Sequence, residues 1–288
     1  MKLKPKQAVF ALLACVILAA ALSLLLSRYG LSVSRYALAS AKLSAPVRIV
    51  QLSDLHNSVF GAHNKRLTKK VAAQEPDLIL ITGDLLNQNE QRTDIAAELI
   101  AELAAVAPVY VSFGNHEIAY EKAYETDLRA VYTDAGAQVL EYDRRDIRVK
   151  GQALRIGGLY GYCVPPLDEI KGMPWEKEWA FLRDFEQTDA FSVLLCHMPV
   201  SWIAYGTLGK WDIDCVLCGH AHGGQVRFPF IGGLWAPDQG WFPGRESGLY
   251  YAPEGEQTAL LSRGLGNTDK LPRFNNIPEI VVLDLMPG

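Results

Sequence analysis

The sequence predicts an α/β protein: one body of stacked sheets with outer helices, carried on an N-terminal membrane helix. Three observations predict it. Short apolar runs recur with helical stretches between them, the middle of the chain changes to alternating residues, and one long uncharged segment lies at the start. These divide the chain into an anchor and linker over residues 1–43 and a body over 44–288.

The uncharged segment runs from Ala8 to Leu26, 19 residues. As a helix it spans about 28 Å, close to the roughly 30 Å hydrocarbon core of a bilayer. A secretory core is shorter, about 7–15 residues, so an uncleaved single-pass anchor is the leading expectation. An A-x-A-like triplet at Ala37-Leu38-Ala39 keeps a cleaved signal peptide open, and a buried core helix is the third alternative. Lys2, Lys4 and Lys6 precede the segment, while Arg28 and Arg35 follow it. The positive-inside bias then favours a cytoplasmic N-terminus and an extracytoplasmic body at the cell membrane.

In the body, the runs VRIVQLS (47–53), DLILITG (77–83), PVYVSFG (108–114), FSVLLC (191–196) and CVLCG (215–219) are short, nearly continuous and β-branched. Such runs are strands buried on both faces, as in parallel sheets. Helices are expected at Asn64–Gln74, Arg92–Val106, Tyr120–Ala135 and Glu176–Gln187. In the second of these, Ile95, Leu99, Ile100 and Leu103 keep the 3.6-residue period. The first half therefore reads β-α-β-α-β with right-handed crossovers. Alternation from Gln138 to Tyr160 announces a second sheet.

Charge and cysteine content exclude some functions. Residues 1–43 hold six basic and no acidic residues, leaving 22 of the 28 basic residues against all 32 acidic ones, a net charge of −10 for the body. Nucleic acid is not an expected partner of so acidic a surface. Cys215 and Cys218 sit three apart in a strand, on opposite faces and about 10 Å apart, too far for a disulfide. Buried hydrophobes are the expectation for them.

Each strand run ends in candidate metal ligands: Asp54-Leu55-His56, Gly83-Asp84, Gly114-Asn115-His116-Glu117, Cys196-His197 and Gly219-His220-Ala221-His222. Ligands in such sheets bind beyond the carboxyl ends of strands, so these groups should converge. Five of the six histidines fall at these ends, and only His63 does not. Asp54/His56 and His220/His222 are i, i+2 pairs, which project to one side of an extended segment. Asn115 and His116 must diverge, one to metal and one to substrate. Imidazole, carboxylate and amide ligands without thiolate suit Mn, Fe or Zn.

In order and type the five blocks resemble the signature of the calcineurin-like metallophosphoesterases, over about residues 46–285. The segments HGGQVRFPFIGG, LYYA, SRGLG and PRFNNIPEI are similar to a membrane-anchored bacterial phosphodiesterase branch. The resemblance implies a four-layer α/β/β/α sandwich of two mixed sheets. It further implies two divalent metal ions, one bound by Asp54, His56 and His222, the other by Asn115, His197 and His220, with Asp84 bridging. His116 would stabilise or protonate the departing oxygen after attack by a metal-bridged hydroxide. The implied reaction is hydrolysis of a phosphodiester or pyrophosphate, with a lipid-linked substrate such as UDP-diacylglucosamine as one candidate. A phosphomonoesterase or protein phosphatase is the second reading, and a non-catalytic metal-binding scaffold the third. The family's usual second carboxylate in G-D-x-x-D is here Asn87, which the resemblance would pair with His116. An amide can accept a hydrogen bond from that ring but cannot balance its charge.

Other residues stay open. Glu117 either orients local groups or is a plain strand-end charge. Arg227, Arg263 and Arg273 are candidate phosphate donors, with surface ion pairing as the alternative for at least one. The aromatics of Trp202–Tyr205–Trp211 and FPFIGGLWAPDQGWFPG either cap the core or form an apolar lip for a lipid tail.

Overall fold

The structure, a computed structural model, describes residues 4–159, 176–204, 206–267 and 271–288. Tyr160 and Tyr205, named above, and the fifth cysteine, Cys163, lie outside the described residues.

The chain runs from α1 (Pro5–Tyr29) through β1 (Ser32–Ser40), β2 (Val47–Leu52), α2 (Lys65–Ala72), β3 (Leu78–Ile81), α3 (Asp94–Ala104), β4 (Val109–Val111), α4 (Asn115–Tyr124) and α5 (Leu128–Asp134) to β5 (Ala137–Val139). The second half supplies β6 (Asp143–Val149), β7 (Gln152–Gly158), α6 (Glu176–Phe185), β8 (Phe191–Leu195) and β9 (Cys215–Cys218). Two small hairpins follow, β10 (Arg227–Phe228) with β11 (Gly232–Gly233) and β12 (Trp235–Ala236) with β13 (Gly240–Trp241). The chain closes with β14 (Gly248–Tyr251), β15 (Thr258–Leu261) and β16 (Glu279–Pro287).

Two six-stranded sheets result, in the orders β1-β16-β2-β3-β4-β5 and β14-β15-β9-β8-β7-β6. Both are mixed: β16 runs antiparallel to β2 in the first, and β6 and β14 are antiparallel edges of the second. Period two along each strand sorts side chains between layers. On β3, Leu78 and Leu80 meet Val193, Leu217 and Leu283 between the sheets. Ile79 and Ile81 face the other way, against Leu67 of α2 and Leu99 and Leu103 of α3. Leu194 and Val216 turn outward onto Leu182 and Phe185 of α6. The arrangement is the four-layer α/β/β/α sandwich.

Three local differences from the sequence expectation have physical causes. Residues 32–40, expected as linker, are β1, paired with β16 in parallel from Ser32–Glu279 to Ser40–Pro287. The single helix expected over Tyr120–Ala135 is two. Glu125 takes a left-handed φ of 51° at the end of α4, and Asp127 caps α5 by accepting the Ala130 N–H at 2.9 Å. Its start also lies earlier, so Asn115 and His116, expected at a strand end, form the first turn of α4. Among the described residues α1 is the one helix long and apolar enough to cross a membrane.

Candidate metal centre

The five motif loops leave the carboxyl ends of β2, β3, β4, β8 and β9 and meet where the two sheets face each other. Asp54, His56 and His222 bring ligand atoms within 4.8 Å of one another, as do Asp84, His197 and His220. His56 Nε2 lies 3.3 Å from His222 Nε2, which lies 3.3 Å from Asp54 Oδ1. Asp84 joins the two groups, its Oδ2 lying 3.0 Å from His197 Nε2 and 3.7 Å from His56 Nε2. Apart from the partly exposed Asn115 and His116, all are buried.

The local backbone explains the convergence better than extended alternation does. Asp54, His56, Asp84, His220 and His222 all have φ between 46° and 68°. Each left-handed non-glycine residue costs about 1–3 kcal/mol and persists where the surrounding structure over-determines it. The turns let His220 and His222, two residues apart, serve different clusters. Gly83 and Gly114 permit a close approach: a Cβ on Gly114 would lie 2.1 Å from Asp84 Oδ1, and one on Gly83 would lie 2.2 Å from the Gly114 nitrogen. Backbone N–H groups fix the carboxylates, with His220 N donating to Asp54 Oδ1 and His116 N to Asp84 Oδ1, both at 2.9 Å.

Glu117 is the orienting group, not a surface charge. It is fully buried in the first turn of α4. Its Oε2 accepts from Asp84 N and Gly114 N, while its Oε1 accepts from Leu85 N and the Tyr132 hydroxyl. One side chain thus ties the β3 and β4 loops together. Burial, with Asp84 beside it, pushes its carboxyl up to about 7 despite the three N–H bonds.

The centre attracts cations. Burial raises the Asp84 carboxyl, but His197 and His56 hold it well below the usual carboxylate range. Burial lowers His197, yet Asp84 more than offsets that and brings it to about 10. Burial keeps His56 below its ordinary value and His222 well below it, so both rings are neutral near pH 7. The donor set fits a metal pair: Asp54 Oδ2 and Asn115 Oδ1 are buried and have no hydrogen-bond partner. Such atoms are costly to bury unless something ligates them.

Two expectations are corrected. Asn87 pairs with His56, not His116. Its Nδ2 donates to the His56 carbonyl and to Glu90 Oε1, so its Oδ1 must accept from His56 Nδ1, 3.0 Å away. That leaves His56 Nε2 free to ligate. His116 Nδ1 instead accepts the Gln88 N–H at 3.2 Å, and the ring stands edge-on to His56 with centroids 4.5 Å apart. The three arginines are spent elsewhere. Arg227 donates to Gly223 O and lies 3.3 Å from Glu246 Oε1, and Arg263 pairs with Glu279 at 3.0 Å. Arg273, buried, donates to the carbonyls of Gly266, Arg263 and His222. It braces the loop that carries His222.

Above the centre opens a cleft of about 420 Å³, lined by Asp84, Gln88, Asn115, His116, His220 and Asp238 among others. Asp238 was not singled out from the sequence. Its Oδ2 lies 2.9 Å from His220 Nε2, although 18 residues separate them, and only its place in the aromatic Gly/Pro segment hinted at a role. Trp202 and Trp211 are core, as the capping alternative had it.

The profile of the calcineurin-like phosphoesterase family matches residues 47–224, which include every residue of both clusters. The chain belongs to this family. This phosphoesterase, a metal-dependent phosphoric ester hydrolase by its homologues, is 28% identical over 253 residues to the phosphodiesterase YaeI of Escherichia coli, covering 84% of this chain and 83% of that one. It is 30% identical over 247 residues to the metallophosphoesterase Cj0846 of Campylobacter jejuni, covering 84% of this chain and 60% of that one. The UDP-2,3-diacylglucosamine pyrophosphatase LpxG of Chlamydia trachomatis is 23% identical over 284 residues, covering 82% and 83%. Among solved structures, a dimetal phosphatase from Danio rerio superposes with a TM-score of 0.44 at 13% identity, covering 77% of this chain and 88% of that one.

Proposed function

We propose that this phosphoesterase is anchored in the cell membrane by α1, its body outside the cytoplasm, and hydrolyses a phosphodiester or pyrophosphate bond of a lipid-linked substrate. The observation that carries the reading is the pair of ligand clusters linked by the approach of Asp84 to His56, with His116 grouped with those two at one cleft. Asp54, His56 and His222 would hold one divalent ion, and Asn115, His197 and His220 the other, with Asp84 between them. Mn, Fe or Zn suits these donors. When bound, such a pair clamps the attacking and leaving oxygens of a phosphoryl transfer and lowers the pKa of water between the ions. The chain's own groups do the rest. Asn87 and Glu117 hold His56 and the Asp84 loop in place, and Gln88 N fixes the His116 ring so that its other nitrogen is available to the leaving oxygen. Support for the lipid-linked substrate comes from the apolar α1 and from the named activity of the Chlamydia relative.

The test is hydrolysis of bis-p-nitrophenyl phosphate by the detergent-solubilised full chain with added Mn; the full chain is used because truncation before residue 44 would strip β1. Asp84→Ala and His116→Ala should each slow turnover by about 100-fold or more. Equal rates for all three proteins would refute the assignment, and preference for the monoester would point to a phosphomonoesterase.

A further inference from the structure

We infer that the face ringing the exit of α1 is a second, peripheral contact with the bilayer, in which the two small hairpins insert apolar side chains and α2 meets anionic headgroups. The inference rests on the anchoring proposed above. From Val9 to Leu22 the large apolar side chains of α1 are all at least 52% exposed. The last turns differ, because Ser23 and Ser27, one turn apart, accept the backbone N–H groups of Asn275 and Asn276. Ser23 stands about 9 Å up the helix from Tyr29, toward the bilayer. Asn275 in turn donates from Nδ2 to the carbonyl of Arg227, and Phe274 bridges to Val226. The base of the β10–β11 hairpin is therefore level with the helical turns that enter the membrane, not with the body below.

That hairpin and its neighbour carry the exposed apolar side chains. Phe230 at the first tip is fully exposed, and Ile231, Trp241 and Phe242 are 60–65% exposed. Aromatic side chains of this kind, clustered and uncovered, mark an interaction surface, and beside a membrane helix they match the composition of an interfacial anchor. Charge gives an independent observation on the same exit. Although the body is net acidic, α2 carries Lys65, Arg66, Lys69 and Lys70 within eight residues. Arg66 donates to the Tyr29 carbonyl and Lys70 to the Leu31 carbonyl, which seats these cations where the chain leaves α1. A bilayer with anionic headgroups is the occupant that suits cations on one side of the exit and aromatics on the other.

The test reconstitutes the full chain into phosphatidylcholine–phosphatidylglycerol vesicles and measures tryptophan quenching by lipids brominated near the headgroup end of their chains. Flotation with the vesicles reports α1. Wild type should be quenched, Trp241→Phe should lose a large part of that quenching, and Phe230→Trp should gain a new quenched component. Removing phosphatidylglycerol should shallow the quenching. Flotation with no difference among the three proteins overturns this inference and leaves the anchor standing; failure to float overturns both. If detergent-solubilised wild type sediments as a dimer, a Phe230→Ser/Trp241→Ser variant sediments as a monomer and neither is quenched, the hairpins dock a second copy of this chain and the bilayer assignment is overturned.

Discussion

Replacing Glu117 by glutamine tests whether one buried carboxylate holds the centre together. The substitution keeps volume but turns one acceptor oxygen into a donor. If the amide nitrogen takes the Oε2 place it faces two N–H groups, Asp84 N and Gly114 N; in the Oε1 place it faces Leu85 N and the Tyr132 hydroxyl. The second orientation is cheaper, because the hydroxyl can turn and accept. It still leaves the Leu85 N–H buried without an acceptor, costing about 1–3 kcal/mol. For a domain of this size that lowers the melting temperature by about 2–10 °C. The assay is thermal unfolding of metal-loaded wild type and Glu117→Gln, with turnover on a soluble diester alongside. Turnover should fall as well, since Asp84 and His116 ride on the tied loops. An unchanged melting temperature, within about 1 °C, would refute the reasoning, because no orientation of the amide satisfies every donor.

Three further outcomes follow from the site. At pH 7 His197 carries a proton because of Asp84, whereas His56 and His222 do not. Loading metal into stripped protein should therefore release about one proton, and affinity should rise with pH toward about 10; calorimetry in buffers of different ionisation enthalpy reads this, and zero release would contradict it. Asn87→Ala should weaken metal binding by about 10–100-fold through loss of the His56 bond, while Asn87→Asp, paired with Glu90→Gln so that Glu90 no longer opposes the new carboxylate, keeps the acceptor and retains it. Arg273→Met should lower stability by about 2–4 kcal/mol by taking the guanidinium donors from the buried Gly266 and Arg263 carbonyls, with KM for a soluble diester unchanged at saturating metal. A large rise in KM would return Arg273 to the phosphate.

What could be read from sequence was what is local. The apolar runs that end at Ser53, Gly83, Gly114, Cys196 and Gly219 are short and nearly continuous, and each hands its ligands to one end, so their convergence is legible from connectivity. What failed depended on distant partners. SVSRYALAS is half polar and resembles a linker until β16, some 247 positions on, supplies its hydrogen bonds. Long side chains behave likewise. Arg227 and Arg263 look free for phosphate until Glu246 and Glu279 arrive from other segments. Spacing could not say that Glu117 begins a helix and so points inward, because a strand-end charge and a first-turn charge have the same neighbours in sequence. Asn87 erred for a related reason: its position in a family pattern suggested one ring, while the fold brought another within reach.

The first strand has a consequence for how this protein can leave its site of synthesis. The small-residue triplet Ala37-Leu38-Ala39, a candidate for a processing protease, lies inside β1, where Ala37, Leu38 and Ala39 pair with Asp284, Leu285 and Met286. Cutting there would take most of the strand away with the helix and bare the length of β16, whose newly unpaired amides would recruit other chains. A cut at this triplet would therefore cost the first sheet its edge strand, whatever became of the helix before it.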